Sequence, residues 1–331
     1  MKRMSMYAAM LLLSVLSASV LMSCSNDEPQ KKVEEQSSAN PNDLQNNPSD
    51  IPGEKGADSE GNNSSENVGD GFLKIPKEVL EKVNEIYGVA SAEPQKVGTV
   101  HELAVLTSIC ATRKGDGPIT ITPSLLNGEE VTLVTLGGTE DVEGQATSLE
   151  ESQLAAFGKP NDYLTAVSKL FTDSIIPQAK PVIVTGISLG GMIAQQLLGK
   201  QEILDCYTLR AVVTFGSPIT LPLDRKQVKV VRFADVHDQV PKLGESILRT
   251  GLITGNLFNR KKLKEQLDEL DRTEKVSRTS KYTGMIETHA LSYIEDSCWD
   301  DVDFLGDSAG TNILELTEPM TFYPAPKLED E

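Results

Sequence analysis

The stretch "PVIVTGISLGGMIAQQLLG", residues 181–199, decides how this chain is interpreted. Its first part, "PVIVT", is a short apolar run with β-branched residues, which predicts a buried strand. Its second part, "LGGMIAQQLL", predicts a helix that begins at Ser188. Gly186 to Gly190 form the G-x-S-x-G pattern, in which small neighbours let a strand and a helix pass closely. Ser188 is therefore a candidate nucleophile at the positive end of a helix.

The segments around this turn predict a mixed α/β domain. Strands are expected in "PITITPSLLNGEEVTLVTLGG", which turns at Asn127-Gly128, and in "LRAVVTFGSP" and "QVKVVRFADV". Helices are expected in residues 75–88, in "TVHELAVLTSICATR", in "PNDYLTAVSKLFTDSI" and in the charged stretch 256–281, where Leu263, Leu267 and Leu270 share one side. Apolar strands without alternation, separated by helices, indicate an α/β fold with a mostly parallel sheet and helices on both faces.

The amino terminus has the pattern of a bacterial lipoprotein. Two basic residues precede an apolar run from Tyr7 to Met22, which predicts a secretory signal peptide over residues 1–23. Leu21–Cys24 resembles a lipobox, which implies cleavage before Cys24 and lipidation of that residue. Ser25 stands where an aspartate would imply retention in the inner membrane. The resemblance implies an outer membrane lipoprotein, on the periplasmic face or the cell surface.

Residues 24–71 are expected to form a disordered acidic tether, followed by a single globular domain over residues 72–331. Between Ser25 and Asp70 there are 11 acidic and three basic residues and no aromatic residue, so the segment cannot bury enough apolar surface to fold. The tether accounts for much of the net charge of −18, which therefore says little about partners. No basic patch stands out, and nucleic acid is excluded as the expected partner.

Three cysteines remain after Cys24, namely Cys110, Cys206 and Cys298, so at most one disulfide can form among them. Their spacing does not resemble a metal site, and no cofactor is expected. Buried small apolar side chains are the simplest interpretation of most of them.

A serine nucleophile needs a base, and the chain has three histidines. His101 lies far upstream in a helical pattern, and His237 lies at the end of a strand beside Asp235. That pair lacks a third metal ligand nearby, so no metal is expected. His289 is the histidine that satisfies the order serine, acid, histidine of α/β-hydrolases, with Asp235 and Asp238 as the candidate acids.

Four segments together resemble the class 3 lipase family of the α/β-hydrolase fold, over roughly residues 130–295. They are "VTLVTLGGT", "VIVTGISLGG", "VVTFGSP" with "VVRFADVHDQVPKL", and "THALSYI". The resemblance implies that Ser188 is the nucleophile, Asp238 the acid and His289 the base. It also implies that Thr139 and Leu189 supply the N–H groups of the oxyanion hole.

The chain departs from the family pattern at three places. Ile187 precedes the serine where the family usually has histidine. An arginine commonly precedes the Gly-Thr of the family, whereas this chain has Leu136-Gly137-Gly138-Thr139. The stretch 140–162, where a lid would lie, is acidic, and only Leu149, Leu154 and Phe157 give it an apolar stripe. A lid that opens onto triglyceride is expected to show a larger apolar face.

The expected function is that of a membrane-tethered serine ester hydrolase, a lipase or esterase. The resemblance implies acyl lipids as substrates, while the acidic stretch favours a smaller or more polar ester as much. A thioesterase or peptidase on the same fold is an alternative, because the pocket chooses the leaving group. The other alternative is a catalytically inactive lipoprotein that binds a partner through this fold.

Overall fold

A computed structural model of the protein describes residues 96–109, 116–140, 142–220, 228–243, 273–295 and 297–328. These residues all belong to one compact unit, Gly71–Glu331. The signal peptide, the tether and Cys24 lie outside the described residues, as do Cys110, the helix expected at 75–88 and the leucine side of the helix expected at 256–281. Within the part of the chain that is described, no helix has the length and apolarity that a membrane crossing needs.

The elements alternate between strands and helices along most of the unit. The nine strands of the described residues are β1 Lys96–Val97, β2 Ile119–Leu126, β3 Glu129–Leu136, β4 Val182–Ile187, β5 Leu209–Phe215, β6 Lys229–Asp235, β7 Glu274–Arg278, β8 Leu314–Leu316 and β9 Thr321–Tyr323. Their six α-helices are α1 Val100–Ser108, α2 Leu149–Ala156, α3 Asp162–Thr172, α4 Leu189–Gln196, α5 Gln201–Cys206 and α6 Met285–Glu295. Short 3₁₀ turns follow at Leu197–Gly199 and Ser297–Trp299.

All nine strands belong to one sheet with the order β1-β8-β2-β3-β4-β5-β6-β7, and β9 pairs with β2 beside this path. Strands β3 to β7 run parallel to one another. Strands β2 and β3 form the expected antiparallel hairpin, and Asn127 and Gly128 both have positive φ in its turn. The prediction of a mixed α/β fold with a mostly parallel central sheet is confirmed.

Neighbouring residues of the central strands point to opposite faces of the sheet and build two separate cores. In β3, Leu133 packs with the core that includes α1 and Trp299, whereas Val134 packs with the core that includes α3 and α4. Both cores are lined by fully buried aliphatic side chains from β3 to β6. The strands therefore lack the apolar and polar alternation of a half-exposed sheet, because helices cover each face.

Two expectations about the carboxyl-terminal part were wrong. Glu274–Arg278, placed in the end of the charged helix, forms the strand β7 beside β6. The lysine, glutamate and arginine of this segment suit a helix locally, but pairing with β6 decides the conformation, and charges are common on strands at the edge of a sheet. The sheet was also expected to end before His289, yet β8 and β9 follow it and join β2.

The registers of the parallel strands bring the carboxyl ends of β3, β4 and β5 to one edge of the sheet. Leu136 lies opposite Gly186, and Ile187 lies opposite Phe215. In open α/β sheets, ligands bind beyond this edge. The residues that follow these strands are therefore the first place to look for a site.

Candidate active site

Ser188 occupies a strained turn between β4 and α4. Its backbone has φ 52° and ψ −118°, a conformation that few residues other than glycine adopt. The serine is the N-cap residue of α4, but its hydroxyl makes no capping hydrogen bond, so the Oγ atom is left for other partners. Its N–H donates to the Phe215 carbonyl at 3.0 Å, which ties the turn to the end of β5.

Both glycines of the G-x-S-x-G pattern are required by close backbone contacts. A Cβ atom on Gly186 would lie 2.3 Å from the carbonyl carbon of Gly190. A Cβ atom on Gly190 would lie 2.2 Å from the carbonyl oxygen of Leu136, in the neighbouring strand β3. The steric reason given for the pattern therefore applies in this chain, because α4 begins directly against β3 and β4.

Asp238 and His289 form a buried pair at the same edge of the sheet. His289 Nδ1 lies 2.9 Å from Asp238 Oδ2, although 51 residues separate them in the chain. A carboxylate offers acceptors only, so Nδ1 carries the hydrogen and Nε2 is left with its lone pair. The second carboxylate oxygen of Asp238 accepts from the Val240 N–H at 2.9 Å. The tautomer of His289 with its hydrogen on Nδ1 is the one that a general base needs, because Nε2 is then able to accept a proton.

The pKa of His289 reflects two opposing effects. Burial lowers it, because the charged imidazolium loses its hydration. The negative charge of Asp238 and the hydrogen bond to it act in the other direction and prevail, so the pKa of His289 is raised above its ordinary value. A raised pKa makes the imidazole a stronger acceptor of a proton at neutral pH.

Tyr293 is a third member of this cluster, one helical turn after His289 on α6. Its hydroxyl donates to Asp238 Oδ2 at 2.8 Å and accepts from the Asp235 N–H at 3.0 Å. Burial, and then the charge of Asp238, raise the pKa of Tyr293 well above its ordinary value, so the hydroxyl keeps its proton. Asp235, the other candidate acid, accepts from the N–H groups of His237 and Ser280, and among the hydrogen bonds of the described residues none joins it to His289.

Gly216 lies between the serine and the acid–base pair. It follows Phe215 directly and has φ +57°. A Cβ atom on it would lie 2.9 Å from Asp238 Oδ2 and 3.1 Å from His289 Cε1. Phe215 therefore contacts Ser188 through its carbonyl, and Gly216, the next residue, packs against Asp238 and His289. Among the hydrogen bonds of the described residues there is none between Ser188 Oγ and His289; such bonds are often long without substrate.

Of the two expected oxyanion-hole residues, Leu189 directly follows Ser188, and Thr139 follows Gly138, which lies close to Ser188. The Leu189 N–H is in the first turn of α4, where amide groups have no partner within the helix. A Cβ atom on Gly138, the residue before Thr139, would lie 3.5 Å from Ser188 Cβ. The Thr139 hydroxyl lies 2.6 Å from the Ser152 hydroxyl of α2, which joins the loop after β3 to the acidic stretch.

The acidic stretch is packed against α4 at its centre. Glu151 is buried, and its carboxylate accepts from the Asp162 N–H at 2.9 Å; burial raises the pKa of this side chain. Gln196 of α4 donates to the Ala155 carbonyl at 2.6 Å. Leu149 is exposed, whereas Leu154 and Phe157 are partly buried, so two of the three side chains of the expected apolar stripe are partly withdrawn from solvent.

The other two histidines have separate partners. His101 Nε2 lies 2.9 Å from Asp300 Oδ1, and His237 Nδ1 lies 3.0 Å from the Tyr282 carbonyl oxygen. Across the described ranges, no group of three or more histidine, cysteine or carboxylate side chains could bind a metal ion. Cys206 carries an exposed free thiol, and Cys298 is partly buried.

Three residues of the site were given no role at the sequence level, namely Gly216, Tyr293 and Ser217, whose hydroxyl donates to the Ser188 carbonyl at 2.7 Å. The spacing of Tyr293 four residues after His289 on a helix would have placed both on one face, which was a usable indication. Gly216 and Ser217 belong to the Gly-x-Pro segment after a strand, but their contacts depend on the packing of three strands.

Comparisons of the chain with protein-family models, with curated proteins and with solved structures found no match. The similarity to class 3 lipases therefore stays a hypothesis, and it depends on the motifs of this chain and on the geometry described above.

Proposed function

We propose that this protein is a serine ester hydrolase that acts through an acyl-enzyme on Ser188. The observation that carries the proposal is the buried Asp238–His289 pair beside a serine in a strained strand-to-helix turn. A histidine held in one tautomer by a carboxylate is what a serine hydroxyl needs to become a nucleophile. The α/β-hydrolase fold and the class 3 lipase family are part of the same proposal.

In the proposed reaction, Ser188 Oγ attacks the ester carbonyl while His289 Nε2 takes the hydroxyl proton. The carbonyl oxygen becomes an oxyanion, which the N–H groups of Leu189 and Thr139 stabilise. The C–O bond of the ester then breaks, and the leaving alcohol takes the proton from His289. Water repeats these steps on the acyl-enzyme and releases the carboxylic acid. Asp238 fixes the orientation of His289 and stabilises its charged form.

The proposed substrates are acyl lipids or smaller carboxylic esters. In the described part of the acidic stretch, Leu149 is the one large apolar side chain that is exposed, which supports the smaller or more polar ester. The proposed location is the outer membrane, through lipidation of Cys24. Incorporation of labelled palmitate should depend on Cys24 and be lost in Cys24→Ala; retained incorporation in that variant would contradict the anchor.

Ser188→Ala tests the function directly. The nucleophile is lost while the fold stays, so kcat on a p-nitrophenyl ester should fall by about 10⁵- to 10⁶-fold, and labelling by a fluorophosphonate probe should disappear. Ser108→Ala is a matched control, because Ser108 is equally buried but bonds only within α1. An unlabelled wild-type protein would favour the inactive binding protein. Labelling with no turnover of esters, but turnover of thioesters or peptides, would favour the alternative substrates.

A further inference from the structure

Three buried polar side chains join α4, the helix that begins at Ser188, to the segment that follows β5. The Ser217 hydroxyl donates to the Ser188 carbonyl at 2.7 Å. The side-chain amide of Gln195 donates to the Pro218 carbonyl at 3.0 Å and accepts from the Thr220 N–H at 3.1 Å. The Thr220 hydroxyl donates to the Met192 carbonyl at 3.2 Å. All three side chains are almost inaccessible to solvent. We call Ser217, Gln195 and Thr220 the clasp.

The Ser188 carbonyl is the point at which the clasp meets the nucleophile. A non-glycine residue in the conformation of Ser188 is strained, and it persists only where its surroundings impose it. Within α4 the same carbonyl accepts the longer bond from the Met192 N–H, at 3.2 Å. The hydroxyl of Ser217 is therefore the shorter of the two contacts, and it comes from outside the helix.

Gly191 has a steric role that belongs to the clasp. A Cβ atom on Gly191 would lie 2.6 Å from both Cβ and Oγ of Ser217. A side chain at position 191 would push Ser217 away from the Ser188 carbonyl. The third glycine of "GISLGG" thus leaves room for Ser217, whereas Gly186 and Gly190 leave room for backbone.

We infer that Ser217 is a positioning residue that fixes the direction of the Ser188 side chain relative to His289. The inference rests on the proposed function, since it gives Ser188 the role of nucleophile. Ser217 directly follows Gly216, whose Cβ position lies 3.1 Å from His289 Cε1. The segment Gly216–Ser217 therefore contacts Ser188 through a hydrogen bond and His289 through packing. The segment thereby sets the distance between the two catalytic side chains.

The test compares Ser217→Ala with Ser217→Thr, which keeps the hydroxyl. Removing the donor should lower kcat about tenfold with KM unchanged within about twofold, because substrate contacts stay while the attack geometry loosens. The second-order rate of fluorophosphonate labelling at Ser188 should fall in the same ratio. Ser217→Thr should keep most of the labelling rate. Thr120→Val is the control, because it removes a buried hydroxyl pair between β2 and β3, at 2.6 Å, outside the site.

A second variant protects the test against misfolding. Ser217→Cys has a similar shape but a weak donor, so it should show the slow labelling of the alanine variant at near wild-type melting temperature. Wild-type labelling in Ser217→Cys or Ser217→Ala, with a stability loss like that of Thr120→Val, would show a structural role only and overturn the inference. An unlabelled wild-type protein would instead remove the proposed function itself.

Discussion

Ser188 and His289 reach the same edge of the sheet by different means. Ser188 is placed by the backbone: by a strained turn, by two glycines that leave no room for a side chain beside the neighbouring backbone, and by an N–H that donates to the Phe215 carbonyl. His289 is placed by side chains: a carboxylate 51 residues away and a tyrosine that binds the same carboxylate. The first arrangement depends on shape, whereas the second depends on buried charge. We call the turn that holds Ser188 the backbone half of the site, and the cluster of Asp238, His289 and Tyr293 the charged half. Substitutions in the two halves should therefore lower activity in different ways.

The largest effect on the charged half is expected from Asp238→Asn. The amide can leave His289 in the wrong tautomer, so kcat should fall by about 10⁴-fold. Loss of the carboxylate charge also removes what raises the pKa of His289, while burial continues to lower it. Because His289 must be neutral to accept a proton, the acid limb of kcat/KM should move to lower pH. In the wild type the midpoint of the acid limb should lie above about pH 6.5, the ordinary pKa of a histidine side chain.

Asp303→Asn is the matched control for this variant. Asp303 is also fully buried, and its carboxylate accepts four hydrogen bonds from Leu305, Asp307 and Asn312. It should lose stability without any shift of the pH profile. An acid limb of Asp238→Asn that coincides with the wild type would show that His289 is not the group that titrates.

The backbone half could be predicted from sequence and the charged half only in part, for a physical reason. The contacts that make Gly186 and Gly190 necessary lie within five residues of Ser188 or in the adjacent strand, so a local motif carries them. The choice between Asp235 and Asp238 depends on how the loop after β6 turns toward α6, which only the folded chain determines. Resemblance to a family favoured Asp238, and of the two carboxylates Asp238 is the one with a hydrogen bond to His289.

The central sheet was predictable for a similar reason, and its edges were not. Strands β3 to β6 are long apolar runs that bury both faces, so composition alone indicates them. Strands β7, β8 and β9 have five, three and three residues, and their side chains are largely exposed or mixed. Short edge strands carry little periodicity, and pairing with β6 or β2 determines their conformation.

An intermediate effect is expected where the two halves meet, in Gly216→Ala. The new Cβ atom would lie closer to Asp238 Oδ2 than non-bonded atoms allow, and the residue would be strained at φ +57°. Displacement of the pair by up to about 1 Å should lower kcat by as much as about 10²-fold. Gly158→Ala has a similar φ of +63° with no atom within 4 Å of the new Cβ, so it carries the strain alone. Equal losses of kcat in both variants would show that strain, and not the contact with the pair, is responsible.

The smallest effect, and the sharpest distinction between charge and shape, is expected from Tyr293→Phe. The ring stays, but Asp238 Oδ2 loses a donor and the buried Asp235 N–H loses its acceptor. Stability should fall by about 1 to 3 kcal/mol, and kcat by roughly three- to tenfold. A carboxylate with fewer hydrogen bonds holds more negative charge toward His289, so the pKa of His289 should rise further and the acid limb should move to higher pH. This direction is opposite to that of Asp238→Asn, although both variants weaken the same cluster.

Tyr163→Phe, which removes a buried hydroxyl bonded to Pro118 and Gly137, is the control for stability. If both tyrosine variants left the acid limb unchanged, Tyr293 would support the helix only and have no part in setting the charge at Asp238.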